Sequence, residues 1–422
     1  MSVSDLKKQV CDAIDAMGET LITASHDIHA HPEVAFEETF AHGLLTDHVE
    51  AAGLEVERHA CGLDTAFISE FGAGDGLVGI LSEYDALPGI GHACGHNIIA
   101  TAGLGAALAL NKLGAALPGR VRYLGTPAEE RGNGKELMAR QGAFDALDAA
   151  MMVHPAGVDL ITMPSLAVNE VRVTYRGRSA HASAMPHAGL NALDALVTAY
   201  QSIAQLRQHI RSNERIHGIV NEGGLAPNIV PDHAVGTFYV RARDGLSLAA
   251  LKKRVKNCFE AGALAAGCEV QIDWAVGDYL EIKDSWEIAG RYQQNAESLG
   301  RKFYPLDDMP LGSGGSTDMG NISHRVPSIH PMIACAPPDV VIHNPEFAKW
   351  AGGERGDQAV LDGAKSLAMT ALDVLSDKTL RHKAHEDFAK TGSLSAAAID
   401  AAWHGEGGHG DGDPALGGCG CC

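Results

Sequence analysis

Gly91-His92-Ala93-Cys94-Gly95-His96-Asn97 lies between a run of strand formers, Leu77-Val78-Gly79-Ile80-Leu81-Ser82-Glu83, and a long apolar segment over 98–113. A strand, a polar turn and then an apolar helix is the repeating unit of an α/β sheet, whose ligands bind at the carboxyl ends of the strands. Working outward, candidate strands over 66–71, 77–83, 121–126 and 149–154 alternate with helical segments. That alternation predicts a mostly parallel sheet with flanking helices.

The turn itself carries metal-ligand chemistry. Cys94 and His96, separated by one glycine, can aim a thiolate and an imidazole at one point. Glu130 and His154 each close an apparent strand, so both side chains reach the same rim, and His343 follows much later. Soft sulfur, borderline nitrogen and hard oxygen donors together suit Zn²⁺, with Mn²⁺ or Co²⁺ as alternatives. Ahead of the turn, Glu83-Tyr84-Asp85 ends a strand with a carboxylate that can hold a ligand imidazole from behind. After it, Glu129 and Glu130 are adjacent, and only one of the pair can comfortably bind a metal. The other is left to move protons, the division of labour that metal-assisted hydrolysis requires.

Composition narrows the class. The chain has 422 residues, 45% of them hydrophobic, which predicts two domains. A net charge of −20 argues against nucleic-acid or anionic-membrane partners. The N-terminus lacks the apolar core of a secretory signal, and the longest apolar stretch, 98–110, is too short to span a bilayer. A cytoplasmic protein is expected. Cys11, Cys61, Cys94, Cys258, Cys268 and Cys335 show no framework spacing, which fits reduced thiols.

A second element order begins near Asn169: a strand over 170–176, a helix over 191–210, strands over 216–221 and 234–241, a helix over 247–265 and a strand over 269–274. This is the βαββαβ, ferredoxin-like order. Residues 166–280 therefore read as a domain inserted into a metal-binding domain made of 1–165 and 281–403. The segment 404–422, rich in Gly and His and ending Cys419-Gly420-Cys421-Cys422, has almost nothing to bury and reads as a disordered tail. Its cysteines with His404 and His409 match no known finger spacing. The run Gly312 to Gly315 lacks the lysine of a phosphate loop and reads as a backbone wall for substrate.

From His26-Asp27-Ile28-His29-Ala30-His31-Pro32-Glu33 to His343-Asn344-Pro345-Glu346-Phe347 the chain resembles the two-metal amidohydrolases and peptidases grouped with aminoacylase and carboxypeptidase G. Within them it is similar to the branch of hippurate hydrolase and indole-3-acetyl-amino-acid hydrolases. Asn97 stands where that branch usually has Asp. With Gly125 to Glu130, Pro227-Asn228-Ile229-Val230-Pro231 and Gly315 to Asn321, this departure resembles the sub-branch of the p-aminobenzoyl-glutamate hydrolases and the Xaa-Arg dipeptidases. The resemblance implies two divalent ions per subunit, a bridging Cys94, the further ligands His96, Glu130, His154 and His343, and Glu129 as general base. Glu83 stands where aminoacylase-type relatives carry a metal-binding His, and it is left out of the ligand set. The resemblance also implies that the inserted domain dimerises and overhangs the active site. His181 would then reach the partner subunit's site to stabilise an oxyanion, and Asn228 would lie near substrate. His26, His29, His31, His92 and His330 read as structural or supporting residues.

The function these residues predict is metal-dependent hydrolysis of the amide bond of N-acyl amino acids or dipeptides by a homodimer. A metal-binding, non-catalytic member of the fold with a regulatory or scaffold role is the alternative, and an unligated Glu129 argues against it. A cysteine-nucleophile amidase built on Cys94 and His96 is the third reading, weakened because surrounding carboxylates raise a thiol pKa.

Overall fold

The computed structural model describes residues 1–309 and 314–405. The chain divides into two compact units. The first is Met1–Ser165 with Ile282–Ala396, and the second is Leu166–Glu281 with, among the described residues, 397–405. In chain order the strands are β1 (Glu57–Arg58), β2 (Phe67–Gly72), β3 (Leu77–Ser82), β4 (Arg120–Gly125), β5 (Ala149–Met151), β6 (His154–Ala156), β7 (Ala167–Arg176), β8 (Arg215–Glu222), β9 (His233–Ala242), β10 (Glu269–Trp274), β11 (Ser328–Ile329) and β12 (Met332–Ala334).

The first unit is built on a six-stranded sheet in the order β1-β2-β4-β3-β5-β11. β4, β3, β5 and β11 run parallel, while β2 and β1 form an antiparallel edge. Alternate residues of the central strands feed two different cores, as the pleat requires. Val78, Ile80, Val121, Tyr123 and Met151 pack into one with the helices His96–Asn111 and Glu354–Ser376. Leu77, Leu81, Leu124 and Ala150 pack into the other with Met138, Phe144, Met319 and Ile322. The helix His96–Asn111 is buried from His96 to Leu110, which is why its sequence shows no polar face.

Two boundaries differ from the sequence expectation, and both place site residues. The run 149–154 does not form one strand: β5 stops at Met151, and His154 opens β6, which pairs with β12 in a separate two-stranded ladder. Pro155 has no N–H to give to a central strand, so the chain leaves the main sheet before it. Likewise β4 ends at Gly125, and Glu130 sits in the loop beyond Pro127 rather than at the strand's last residue.

The second unit has a four-stranded antiparallel sheet in the order β10-β7-β9-β8. Val171, Val173, Tyr175, Phe238 and Val240 pack against the helices Ala192–Leu206 and Gly245–Ala266. The end of the described chain also groups here, where the sequence reading had run the first domain to 403: Ala398 and Ala402 pack on Leu280, and Asp278 donates its N–H to the Ala402 carbonyl. His404, read as the start of the tail, closes the helix Gly392–His404. The rest of that tail, with Cys419, Cys421 and Cys422, lies outside the described residues, as do Gly312 and Ser313. No helix among the described residues is long and apolar enough to cross a membrane.

Candidate metal centre

Backbone geometry decides which side chains meet. Gly95 has φ +78°, and a Cβ there would stand 2.5 Å from Pro155 Cγ, so only glycine can separate Cys94 from His96 in this turn. His96 becomes the first residue of the central helix. The loop after β4 is pinned at two points. Ala128 (φ +60°) donates its N–H to Glu38 Oε1 at 2.8 Å, and Glu130 donates its N–H to Asp85 Oδ2 at 2.8 Å. His343 also has a positive φ, +61°, and its N–H reaches the Ala93 carbonyl at 2.9 Å. Left-handed backbone at non-glycine residues costs about 1–3 kcal/mol each and persists where surrounding contacts over-determine it.

These turns gather six of the eight residues singled out from sequence. Cys94 Sγ stands 3.4 Å from His154 Nε2, and His343 Nε2 stands 3.3 Å from Glu130 Oε1. His96 Nε2 lies 3.8 Å from Glu129 Oε2, 3.9 Å from Glu130 Oε1 and 3.7 Å from Glu83 Oε2. Three donor sets emerge, each with its atoms within 4.8 Å of one another: Cys94, His96 and His154; Cys94, Glu130 and His343; and Glu83, His96 and Glu129. Cys94 belongs to two of them. All of these residues are buried except His343, which is partly exposed.

The electrostatics fit a divalent cation. Glu83, Asp85, Glu129, Glu130 and Asp318 are five buried carboxylates, and Lys135 is the buried ammonium among them. His96 Nε2 and both Glu130 oxygens have no hydrogen-bond partner among the described residues, an arrangement that protein groups alone leave unfavourable. Burial, reinforced by His330 and His96, holds the His154 imidazole neutral. Its Nδ1 lies 2.8 Å from the Pro155 carbonyl and carries the proton, which leaves the Nε2 lone pair facing Cys94. At His96, burial acts in the same direction, but the Asp85 hydrogen bond and the charges of Asp85, Glu83 and Glu130 override it and raise the pKa to about 10. A cation would take the place of that proton.

The carboxylate of the Glu83-Tyr84-Asp85 run that holds a ligand imidazole is Asp85, 3.0 Å from His96 Nδ1. Sequence reasoning missed two parts of this region. Glu38, which anchors the Glu129 loop, and Lys135, which contacts Glu83 and Asp318, carried no local signal at all. His26, His29 and His31 bond to Asp357, the Ala348 carbonyl and the Asp27 carbonyl, and His330 lies against His154. None of these, nor His92, belongs to a donor set among the described residues.

His181 and Asn228 lie in the second unit, where they are brought together. Ala182 donates its N–H to the Asn228 carbonyl at 3.0 Å, and Val230 donates to the Ala180 carbonyl at 2.9 Å. His181 Nδ1 accepts the N–H groups of Ser183 (3.3 Å) and Ala184 (3.1 Å). That places the proton on Nε2 of an exposed ring.

The chain belongs to the peptidase family M20/M25/M40, which it matches over residues 79–372. It is an M20-family hydrolase. Among its relatives, the Xaa-Arg dipeptidase of Mus musculus is 40% identical over 398 residues, covering 91% of this chain and 92% of the relative. A p-aminobenzoyl-glutamate hydrolase component from Escherichia coli (strain K12) is 34% identical over 301 residues, 66% of this chain and 63% of the relative. The fold is also that of a dinuclear metal-binding M20 peptidase from Bacillus subtilis, with a TM-score of 0.65 at 22% identity over 86% of this chain and 99% of that one.

Proposed function

We propose that this protein is a two-metal hydrolase that cleaves the amide bond of dipeptides or N-acyl amino acids, acting as a cytoplasmic homodimer. The observation that carries the reading is Cys94 Sγ, shared by two donor sets that each add histidine, one of them through His96 3.8 Å from Glu129. Cys94, His96, Glu130, His154 and His343 would hold two divalent ions, with zinc best matched to the thiolate and imidazoles and manganese or cobalt as alternatives. Such ions lower the pKa of water and polarise the amide carbonyl. Glu129 takes the proton of the attacking water and returns it to the leaving amine. Asp85 keeps His96 in one orientation through Nδ1. His181 of the partner subunit donates its Nε2–H to the tetrahedral oxyanion, with Asn228 beside it against the substrate.

The likeness to Xaa-Arg dipeptidase supports dipeptides with a basic C-terminal residue as the first substrate class to test. A screen of Xaa-Arg and Xaa-Lys dipeptides, N-acyl amino acids and aminobenzoyl-glutamate, combined with metal analysis of the purified protein, tests the reading. Two ions per chain and EDTA-sensitive turnover are expected. Turnover that survives complete metal removal would point instead to Cys94 as a nucleophile.

A further inference from the structure

Lys135, Glu83 and Asp318 form a triad that joins the donor sets through Glu83 alone and that the hydrolysis described above does not use. Lys135 is completely buried, and its ammonium touches Glu83 Oε1 and, at 2.6 Å, Asp318 Oδ1. Asp318 grips it twice, because its other oxygen accepts the Lys135 backbone N–H at 2.9 Å. The chain is fitted to this contact from both sides. At Gly134 a Cβ would collide with the Pro127 carbonyl, so the turn that delivers Lys135 requires glycine. Asp318 sits just ahead of the short helix Met319–Ser323, and the neighbouring residue Glu136 ties the same two segments together by accepting from Asn321 at 3.3 Å and Arg325 at 2.5 Å. Ser316-Thr317-Asp318-Met319-Gly320-Asn321, conspicuous in the sequence, thereby acquires a role.

The consequence falls on Glu83. With Oε1 tied to Lys135, its Oε2 is turned to within 3.7 Å of His96 Nε2 and shares a donor set with His96 and Glu129. A carboxylate free to rotate would settle against the ammonium with both oxygens. Here Asp318 holds the ammonium to one side and leaves one Glu83 oxygen for the centre.

We propose that Lys135 is a positioning residue of the metal centre, and that the Asp318–Lys135 clamp makes Glu83 Oε2 a sixth donor beside His96. The proposal rests on the reading of the cluster as a metal site. A lysine-held glutamate would give the ion position that includes His96 its own affinity, separate from the position built on Glu130 and His343.

Protein stripped with a chelator and titrated with Co²⁺, followed by absorption and by metal analysis, resolves the two binding steps. Lys135→Met and Glu83→Gln should each weaken one step about 10–100-fold, the usual effect of removing a group that orients a ligand, while the thiolate-to-cobalt band of Cys94 persists. The double variant Lys135→Met/Asp318→Asn restores the charge sum without restoring the anchor, so its affinity should stay as low as that of Lys135→Met. Parental affinity in the double variant would make Lys135 a charge balance only and overturn the positioning role. If Lys135→Met does not fold, Glu83→Gln decides alone: an unchanged two-step titration overturns the proposal. A parent protein that takes up no Co²⁺ overturns the metal reading and this one with it, whereas variants that match a two-ion parent overturn this one only.

Discussion

Among the described residues each unit buries one lysine almost completely, and the two have different surroundings. In the second unit Lys252 meets Asp278 Oδ1 at 2.6 Å, Asn169 donates to the same oxygen at 2.5 Å, and the Trp274 ring covers the ammonium at 4.8 Å. One cation faces one anion, with a neutral amide and an aromatic ring beside them. In the first unit Lys135 faces Glu83 and Asp318, and its charge is also felt by Glu129 and Asp85. Burial alone would lower the pKa of Lys135. At Lys135, Asp318 and Glu83 oppose burial so strongly that its pKa rises above the ordinary lysine value. The difference is one of charge: a single carboxylate meets Lys252, whereas two carboxylates meet Lys135. The acidic excess around Lys135 is what divalent cations can neutralise.

The largest effect expected from this contrast is on turnover. Glu129→Gln should keep its metal and lose about 10²–10⁴ in rate, the range typical of general acid-base help. Glu130→Gln should lose metal instead. The opposite outcome, read by metal analysis beside kinetics, would mean that the two carboxylates exchange roles.

Next comes the balanced pair. Lys252→Met leaves Asp278 buried without its cation, which should cost about 3–5 kcal/mol in denaturant unfolding while metal content stays at the parental value. A Lys252 variant short of metal would break the comparison, because the second unit's lysine would then matter to the centre as well.

His181 tests the contribution of the second unit to chemistry. Removing one oxyanion donor costs about 10²–10³ in rate, so His181→Ala should be nearly inactive. Mixed with Glu129→Gln chains after subunit exchange has been shown by mass, it should recover activity, since one site then has both groups. Exchange without recovery would place His181 in its own subunit's site or in none.

The smallest effect is on stability. Ions that bind only the folded state add about 2.7 kcal/mol at a hundredfold excess over Kd, so chelation should lower the melting temperature and added metal should restore it. A melting temperature indifferent to chelation would show that the acidic excess is not neutralised by cations.

Much of the site was legible because its parts are local. Cys94-Gly95-His96 is a turn whose geometry follows from three residues, and Glu129-Glu130 reads as a pair wherever it lies. The errors arose where a proline ended a strand early. Pro155 moved His154 into a second ladder, and Pro127 left Glu130 in a loop, yet both side chains still reached the centre because β4 and β5 run parallel and the chain leaves both at their carboxyl ends.

By itself, the sequence determined the element order, the mostly parallel sheet with its ferredoxin-like insertion, and the donor types of a borderline-metal site. Periodicity and motif spacing record those in neighbouring residues. Only the tertiary structure decided that Asp85 rather than Glu83 orients His96, that Glu38 steadies the Glu129 loop, and that Lys135 is sealed between Glu83 and Asp318. The Lys135 contact with Asp318 spans 183 residues of sequence. A lysine has the same appearance in a sequence whether it faces water or carboxylates. Desolvation, which turns that difference into chemistry, exists only once the chain has closed around it.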